Sequence, residues 1–220
     1  MHLFEDLCAL GKSPKLLSAV NQGSRVLNSG NKTHGVIARR GDGILGEAIP
    51  GENVVREPGF TVGRGVIATI EIGAECKVLA KAMVKQIDRV MTDMRNQVEQ
   101  FNKGVGSKPI TVAIVGVNHA EYTVGYEGGR SYRTGDVEVC DPTTGKKTID
   151  RGGPNPASEA PTAIQRLHVG VKPYYDEMIL LRYKAKNDSP FDFEWVDVAA
   201  MKRDYTASLI KISREYEQRF

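Results

Sequence analysis

Apolar residues recur along the chain with two periods, and each period marks an element. Met83, Ile87, Val90, Met94, Val98 and Phe101 are three or four residues apart, which predicts one buried stripe on a long helix from about Leu79 to Asn102. Lys81, Lys85 and Arg89 fall four apart on another face, and Gly104 and Gly106 end the helix. Just upstream, Val66–Leu79 is rich in Val, Ile and Thr and predicts a strand. Alternation places Ile70, Ile72, Ala74 and Cys76 on one side of it and Glu71, Gly73, Glu75 and Lys77 on the other. Downstream, Ile110–Val117 is a continuous apolar run, the pattern of a central strand buried on both faces. Strand, helix and strand in that order predict a right-handed parallel crossover.

The flanks are less regular. Ser13-Pro14 reads as a helix cap and first turn, followed by a stripe of Leu16, Leu17 and Val20 that extends toward Val26 and Leu27 across Gly23. Residues 30–65 alternate glycines with short apolar runs (Val36-Ile37-Ala38, Ile44-Leu45, Val54-Val55, Phe60-Thr61-Val62) and predict short strands and turns. Residues 125–161 are rich in Gly, Pro, Thr and Asp and read as a long loop or a hairpin excursion, with a short helix near Ala160–Val169. Met178–Ala185 and Phe191–Val196 read as two strands joined by Asn187-Asp188-Ser189-Pro190. Asp197 caps a last helix whose stripe is Val198, Met201, Tyr205, Leu209, Ile212 and Tyr216. The expected fold class is α/β: a mixed central sheet flanked by helices, as one domain over residues 1–220. Its core spans about 13–118, with a C-terminal strand and helix extension over 119–220.

Composition narrows this picture only a little. The chain has 220 residues, of which 40% are apolar and 26% charged, so disorder and fibrous repeats are excluded. Lys plus Arg is 30 and Asp plus Glu is 27, a surplus too small to argue for a polyanion partner by itself. Three widely spaced cysteines, Cys8, Cys76 and Cys140, argue against a disulfide framework and for a reducing cytoplasm. The start carries no signal-peptide pattern, and no apolar run reaches membrane-spanning length, so no membrane partner is expected. Nucleotide-binding fingerprints fail. Gly41-Asp-Gly43-Ile-Leu-Gly46 runs into Pro50-Gly51 instead of opening a helix, and Gly145-Lys146-Lys147-Thr148 lacks the first P-loop glycine. His119-Ala120-Glu121 lacks the cysteines that a zinc deaminase needs.

The candidate chemistry sits at Glu75-Cys76-Lys77. A Glu and a Lys two apart on a strand point to the same side, about 6.6 Å apart. A carboxylate there can hold a divalent cation, and the ammonium can orient the attacking water and stabilise developing charge on a phosphodiester. Oxygen ligands and a phosphate substrate suit Mg²⁺, or Mn²⁺. A second acid is needed. Glu71 ranks first, although an ideal strand puts it about 13 Å from Glu75; a bulge at Gly73 would shorten the gap. Otherwise the acid comes from a neighbouring strand, with Glu57, Glu47 and Asp42 as candidates.

The run Ile70-Glu71-Ile72-Gly73-Ala74-Glu75-Cys76-Lys77, with Lys85-Gln86-Ile87-Asp88-Arg89 in the next helix, resembles the restriction-endonuclease-like members of the PD-(D/E)XK nuclease superfamily over roughly residues 35–118. The resemblance implies a restriction-endonuclease-like core and Mg²⁺-dependent hydrolysis of DNA by an endonuclease. It implies metal binding by Glu75 with Glu71, and a water-assisting role for Lys77. No Pro-Asp pair stands upstream, which leaves the first metal ligand open. A catalytically inactive module on the same fold, binding nucleic acid or a protein, is the alternative. Lys81, Lys85 and Arg89 could contact phosphates, as could Arg130 and Arg133 in a Gly-rich segment that also holds Tyr122, Tyr126 and Tyr132. Asn118-His119 ends the buried strand, where α/β sites tend to lie. Cleaving both strands of a duplex would favour a homodimer.

Overall fold

Ser13 starts a helix for a local reason. Its Oγ accepts the Leu16 N–H at 3.1 Å, and Pro14 supplies the preset first turn of α2 (Pro14–Asn21). The computed structural model describes residues 2–29, 42–103, 106–125, 131–150 and 152–220. A helix the sequence pattern does not announce, α1 (Leu3–Leu10), precedes α2. Gly23, at φ 74°, then turns the chain. Val26 and Leu27 therefore belong to a strand, β1 (Arg25–Asn28), and not to a continuation of the helix.

The strands that follow are β2 (Gly43–Glu47), a short β3 (Arg64–Gly65) and β4 (Ile72–Leu79). Helix α3 (Met83–Phe101) leads to β5 (Ile110–Asn118). Next come two hairpins, β6 (Tyr122–Val124) with β7 (Ser131–Arg133) and β8 (Val137–Cys140) with β9 (Lys147–Asp150). Helix α4 (Pro156–Gly170), β10 (Glu177–Ala185), β11 (Phe193–Trp195) and α5 (Val198–Arg219) complete the chain. Val36–Ala38 lies outside the described residues.

Seven strands form one mixed sheet in the order β11-β10-β5-β4-β2-β1-β3. β4, β5 and β10 run parallel, while β2 is antiparallel to both β4 and β1. The expected mixed α/β class with flanking helices is thus present. The C-terminal region is built into the sheet, since β10 pairs with β5 from Glu177–Val112 to Tyr183–Asn118. β5 lies between two parallel neighbours, which is why its sequence is apolar throughout.

Alternation divides the core. Ile72, Ala74, Ile110, Val112 and Ile179 pack against α1, α2 and α5. Leu79, Ala113, Val115 and Val117 pack against α3 and α4. Two glycines permit close approaches on β2 and β4. A Cβ on Gly73 would lie 2.7 Å from the Phe101 ring, so α3 can seat there only over a bare backbone. A Cβ on Gly46 would lie 1.8 Å from the Thr69 carbonyl, where the chain crosses before entering β4.

That crossing shortens the predicted strand. Regular pairing with β5 begins at Ile72, and residues 66–71 are irregular, with Ile67 forming only an isolated bridge to Ala48. Alternation therefore does not carry back to Glu71. Its carboxylate meets Arg25 at 2.6 Å and accepts from the Tyr216 hydroxyl of α5. Gly73, two residues on, faces α3 instead. The expectation that Glu71 and Glu75 share one face is corrected by this bend.

Candidate active site

The site follows from where β2 and β4 part. Their register runs Leu45–Ile72, Ile44–Gly73, Gly43–Ala74, and the ladder ends there, with Asp42 and Glu75 the next residue on each side. Beyond that point β4 continues beside β5 to Leu79–Val117. Asp42 immediately precedes β2, and its Oδ2 accepts the Cys76 N–H at 2.7 Å. Glu75 is 6% exposed, and its Oε1 is ion-paired with Lys77 Nζ. The neighbouring acid, the motif acid and the motif lysine thus gather around one residue, Cys76.

Buried charges need partners, and this cluster largely supplies its own. Lys77 compensates Glu75, and the Cys76 amide compensates Asp42. The local potential is legible on neighbouring groups. Burial, reinforced by Asp42 and Glu75, pushes the Cys76 thiol up to about 11, so it stays protonated and inert near neutral pH. Tyr175, buried against α3 with its hydroxyl on the Met94 carbonyl at 2.8 Å, is also shifted up by burial and then by Glu75 and Asp42.

The other candidate acids stand elsewhere. Glu71 is held by Arg25 and Tyr216, as described. Glu57 is exposed and pairs with Arg64 at 3.6 Å. Glu47 lies at the opposite end of β2, across from Arg25. Among the described residues, no three His, Cys, Asp or Glu side chains gather as a metal cage.

The proposed nucleic-acid residues divide. Lys85 and Arg89 lie on the solvent side of α3, where Arg89 pairs with Asp93 at 3.9 Å. Lys81 precedes the helix, and its ammonium stands 5.6 Å from the centre of the Tyr132 ring on β7, tying that hairpin to the start of α3. Arg133 is half-buried on β7. Arg130 and Tyr126 lie outside the described residues.

Behind the site, Asn118 locks three strand ends together. Its Nδ2 donates to the carbonyls of Ala80 (3.1 Å) and Ala185 (2.9 Å), and its Oδ1 accepts from the amides of Ala120 and Ala185. Every side-chain hydrogen-bonding group of this buried amide is engaged, which gives it a structural role. The next residue differs: Nε2 of His119 is buried without a hydrogen-bond partner among the described residues. His119 lines a cleft of about 740 Å³ at the C-terminal ends of β5 and β10.

Fold and site define a mixed α/β chain with two acids and a lysine at a strand divergence. Compared with protein-family models, curated proteins and solved structures, the chain matches none. Among the described residues, no helix is long and apolar enough to cross a membrane.

Proposed function

We propose that the chain is a divalent-metal-dependent endonuclease of restriction type that hydrolyses DNA, with Asp42, Glu75 and Lys77 at its centre. The observation that carries this reading is the position of Asp42, directly beyond the Gly43–Ala74 pair and bonded to the amide between Glu75 and Lys77. Asp42 takes the part that the spacing alone assigned first to Glu71. The antiparallel β1–β2–β4 unit, followed by α3 and the parallel β5, agrees with the resemblance to PD-(D/E)XK nucleases.

The donor chemistry fits a hard cation. Two carboxylates suit Mg²⁺ or Mn²⁺, which keep several waters and bind through one or two acids plus phosphate oxygens. When bound, such an ion neutralises a phosphate oxygen and acidifies a water. The chain's own residues do the rest. Asp42 and Glu75 fix the charge midway along β4, and Lys77, held by Glu75, supplies a cation for the oxygen on which negative charge grows. Hydrolysis forms one bond from phosphorus to the water oxygen and breaks one to a sugar oxygen, which leaves with a proton. A symmetric pair of copies would serve to cut both strands.

A second reading, an inactive module that binds nucleic acid or protein, draws on one observation: Lys77 already neutralises Glu75. Calorimetric titration with MgCl₂ and MnCl₂ separates the two. Saturable uptake is expected in the wild type, weakened at least about tenfold, roughly 1.4 kcal/mol, in Asp42→Asn and in Glu75→Gln. No uptake of either ion by the wild type would favour the module.

A further inference from the structure

The seven-stranded sheet has an open stretch of edge. β11 pairs with β10 only from Tyr183 to Ala185, and the chain makes its last bond to that edge from the Val196 N–H to the Arg182 carbonyl. From Glu177 to Leu181, β10 pairs with β5 alone. Backbone groups alternate in direction along a strand. The Tyr183 carbonyl accepts the His119 N–H on the β5 side and the Arg182 carbonyl faces outward, so Met178 and Leu180 also turn their N–H and C=O groups outward. Among the described residues, nothing pairs with these four groups.

Exposed edges are normally blunted by Lys, Pro, a bulge or a covering loop. Met178-Ile179-Leu180-Leu181 carries none of the first three, and a groove of about 460 Å³ stands where a cover would lie. Glu177, Met178, Ile179 and Leu180 all line that groove. Side chains alternate between faces, so four consecutive residues line one groove only where it meets the strand edge-on.

The walls choose the occupant. An extended segment laid antiparallel along this edge sends alternate side chains to opposite faces of the sheet. The two residues opposite Met178 and Leu180 exchange backbone bonds with them and point toward the α3/α4 face. There the groove holds Arg182 and His168 of α4, and the charges of Lys172 and Arg182 add to burial in lowering the His168 pKa. Neither Arg182 nor Lys172 has an acid partner among the described residues. The residue opposite Ile179 points under α5, where Ala200, Met201 and Tyr205 line the groove. The acids on that side are already engaged: Glu177 with Ser208 and Lys211, Asp197 with the Ala200 N–H, and Asp204 with Arg203.

We propose that the free edge of β10 is a docking site for an extended peptide segment of another protein, in which acidic residues alternate with apolar ones. The segment extends the sheet by pairing along Glu177–Leu181. Two of its acids meet the cations of Arg182, Lys172 and His168, and the apolar residue between them fills the space beneath α5. This site is separate from Asp42, Glu75 and Lys77, and it does not rest on the nuclease reading.

The test is calorimetry of the full chain with the end-capped peptide Val-Glu-Val-Glu-Val, paired with NMR hydrogen exchange of the Met178 and Leu180 amides. Saturable binding is expected, with slowed exchange at both amides. The counterpart Val-Lys-Val-Lys-Val should bind at least about tenfold more weakly, and Arg182→Glu should weaken the Glu peptide by at least about tenfold. Arg182 is exposed and packs in no core cluster, so that substitution opens no cavity. Methylating the two Glu nitrogens, which donate to β10 in this register, should abolish binding, whereas methylating the central Val nitrogen, which faces away, should preserve it. The proposal is overturned if the Glu peptide does not bind, if the Lys peptide binds equally, or if both amides stay unprotected. It is also overturned if Arg182→Glu or methylation of the Glu nitrogens changes nothing. Amides already protected in a peptide-free chain that sediments as a dimer overturn it by giving the edge to a second copy. Displacement of the peptide by a short thymidine oligonucleotide overturns it by making the cations a phosphate contact.

Discussion

Lys77→Ala is expected to cut the rate of plasmid cleavage by about 10²–10³-fold, the usual loss when one charge-stabilising group is removed from a phosphoryl or acyl transfer site. The side chain is about one-quarter exposed and packs in no core cluster, so its removal opens no core cavity, and the assay is run at a temperature where urea denaturation shows the variant folded. The substitution also leaves Glu75 buried without its ion pair. Mg²⁺ uptake should therefore persist while cleavage falls, because the acid remains available. Cleavage at wild-type rate in Lys77→Ala would mean that the ammonium only compensates Glu75 and takes no part in hydrolysis.

Arg25→Ala is expected to destabilise the fold by about 3–5 kcal/mol, because it strands the Glu71 carboxylate in the core. Glu71 is 3% exposed, its partner Arg25 comes from β1, and Tyr216 donates to it from α5. Against a total stability of about 5–15 kcal/mol, such a loss brings many chains near unfolding. Urea denaturation, read as a lower midpoint at unchanged slope, measures it. The same network carries a pH signature. Burial, and then the hydrogen bond to Glu71, raise the Tyr216 pKa above its ordinary value of 10.0. Its neutral form is thus favoured in the folded chain, and the associated stability is complete below about pH 10 and lost as pH rises further. An Arg25→Ala midpoint equal to the wild type would show that Glu71 is not held as described.

The periodic elements were legible in the sequence, and their neighbours were not. The stripe from Met83 to Phe101 and the run from Ile110 to Val117 state their burial directly, and both elements formed where expected. Phe60-Thr61-Val62 carries strand-like residues but joins no strand, because the Glu5 carboxylate of α1 accepts the amides of Thr61 and Val62 at 3.0 and 2.9 Å. That competing partner lies more than fifty residues away, beyond any local window. The pair Glu75 and Lys77 needed only alternation within one strand. Asp42 needed the register of β2 on β4, which depends on the chain between them, so it could be named only as one of several acids. Glu71 misled because alternation assumes a regular strand, and regularity starts one residue later.

The central claim is that Asp42, and not Glu71, completes the site with Glu75. Supercoiled plasmid incubated with Mg²⁺ and either Asp42→Asn or Glu71→Gln, at a temperature where both are folded, tests it most directly. Nicking or linearisation is expected with the wild type and with Glu71→Gln, and none with Asp42→Asn. Cleavage that survives in Asp42→Asn, or that vanishes only in Glu71→Gln, would contradict the assignment.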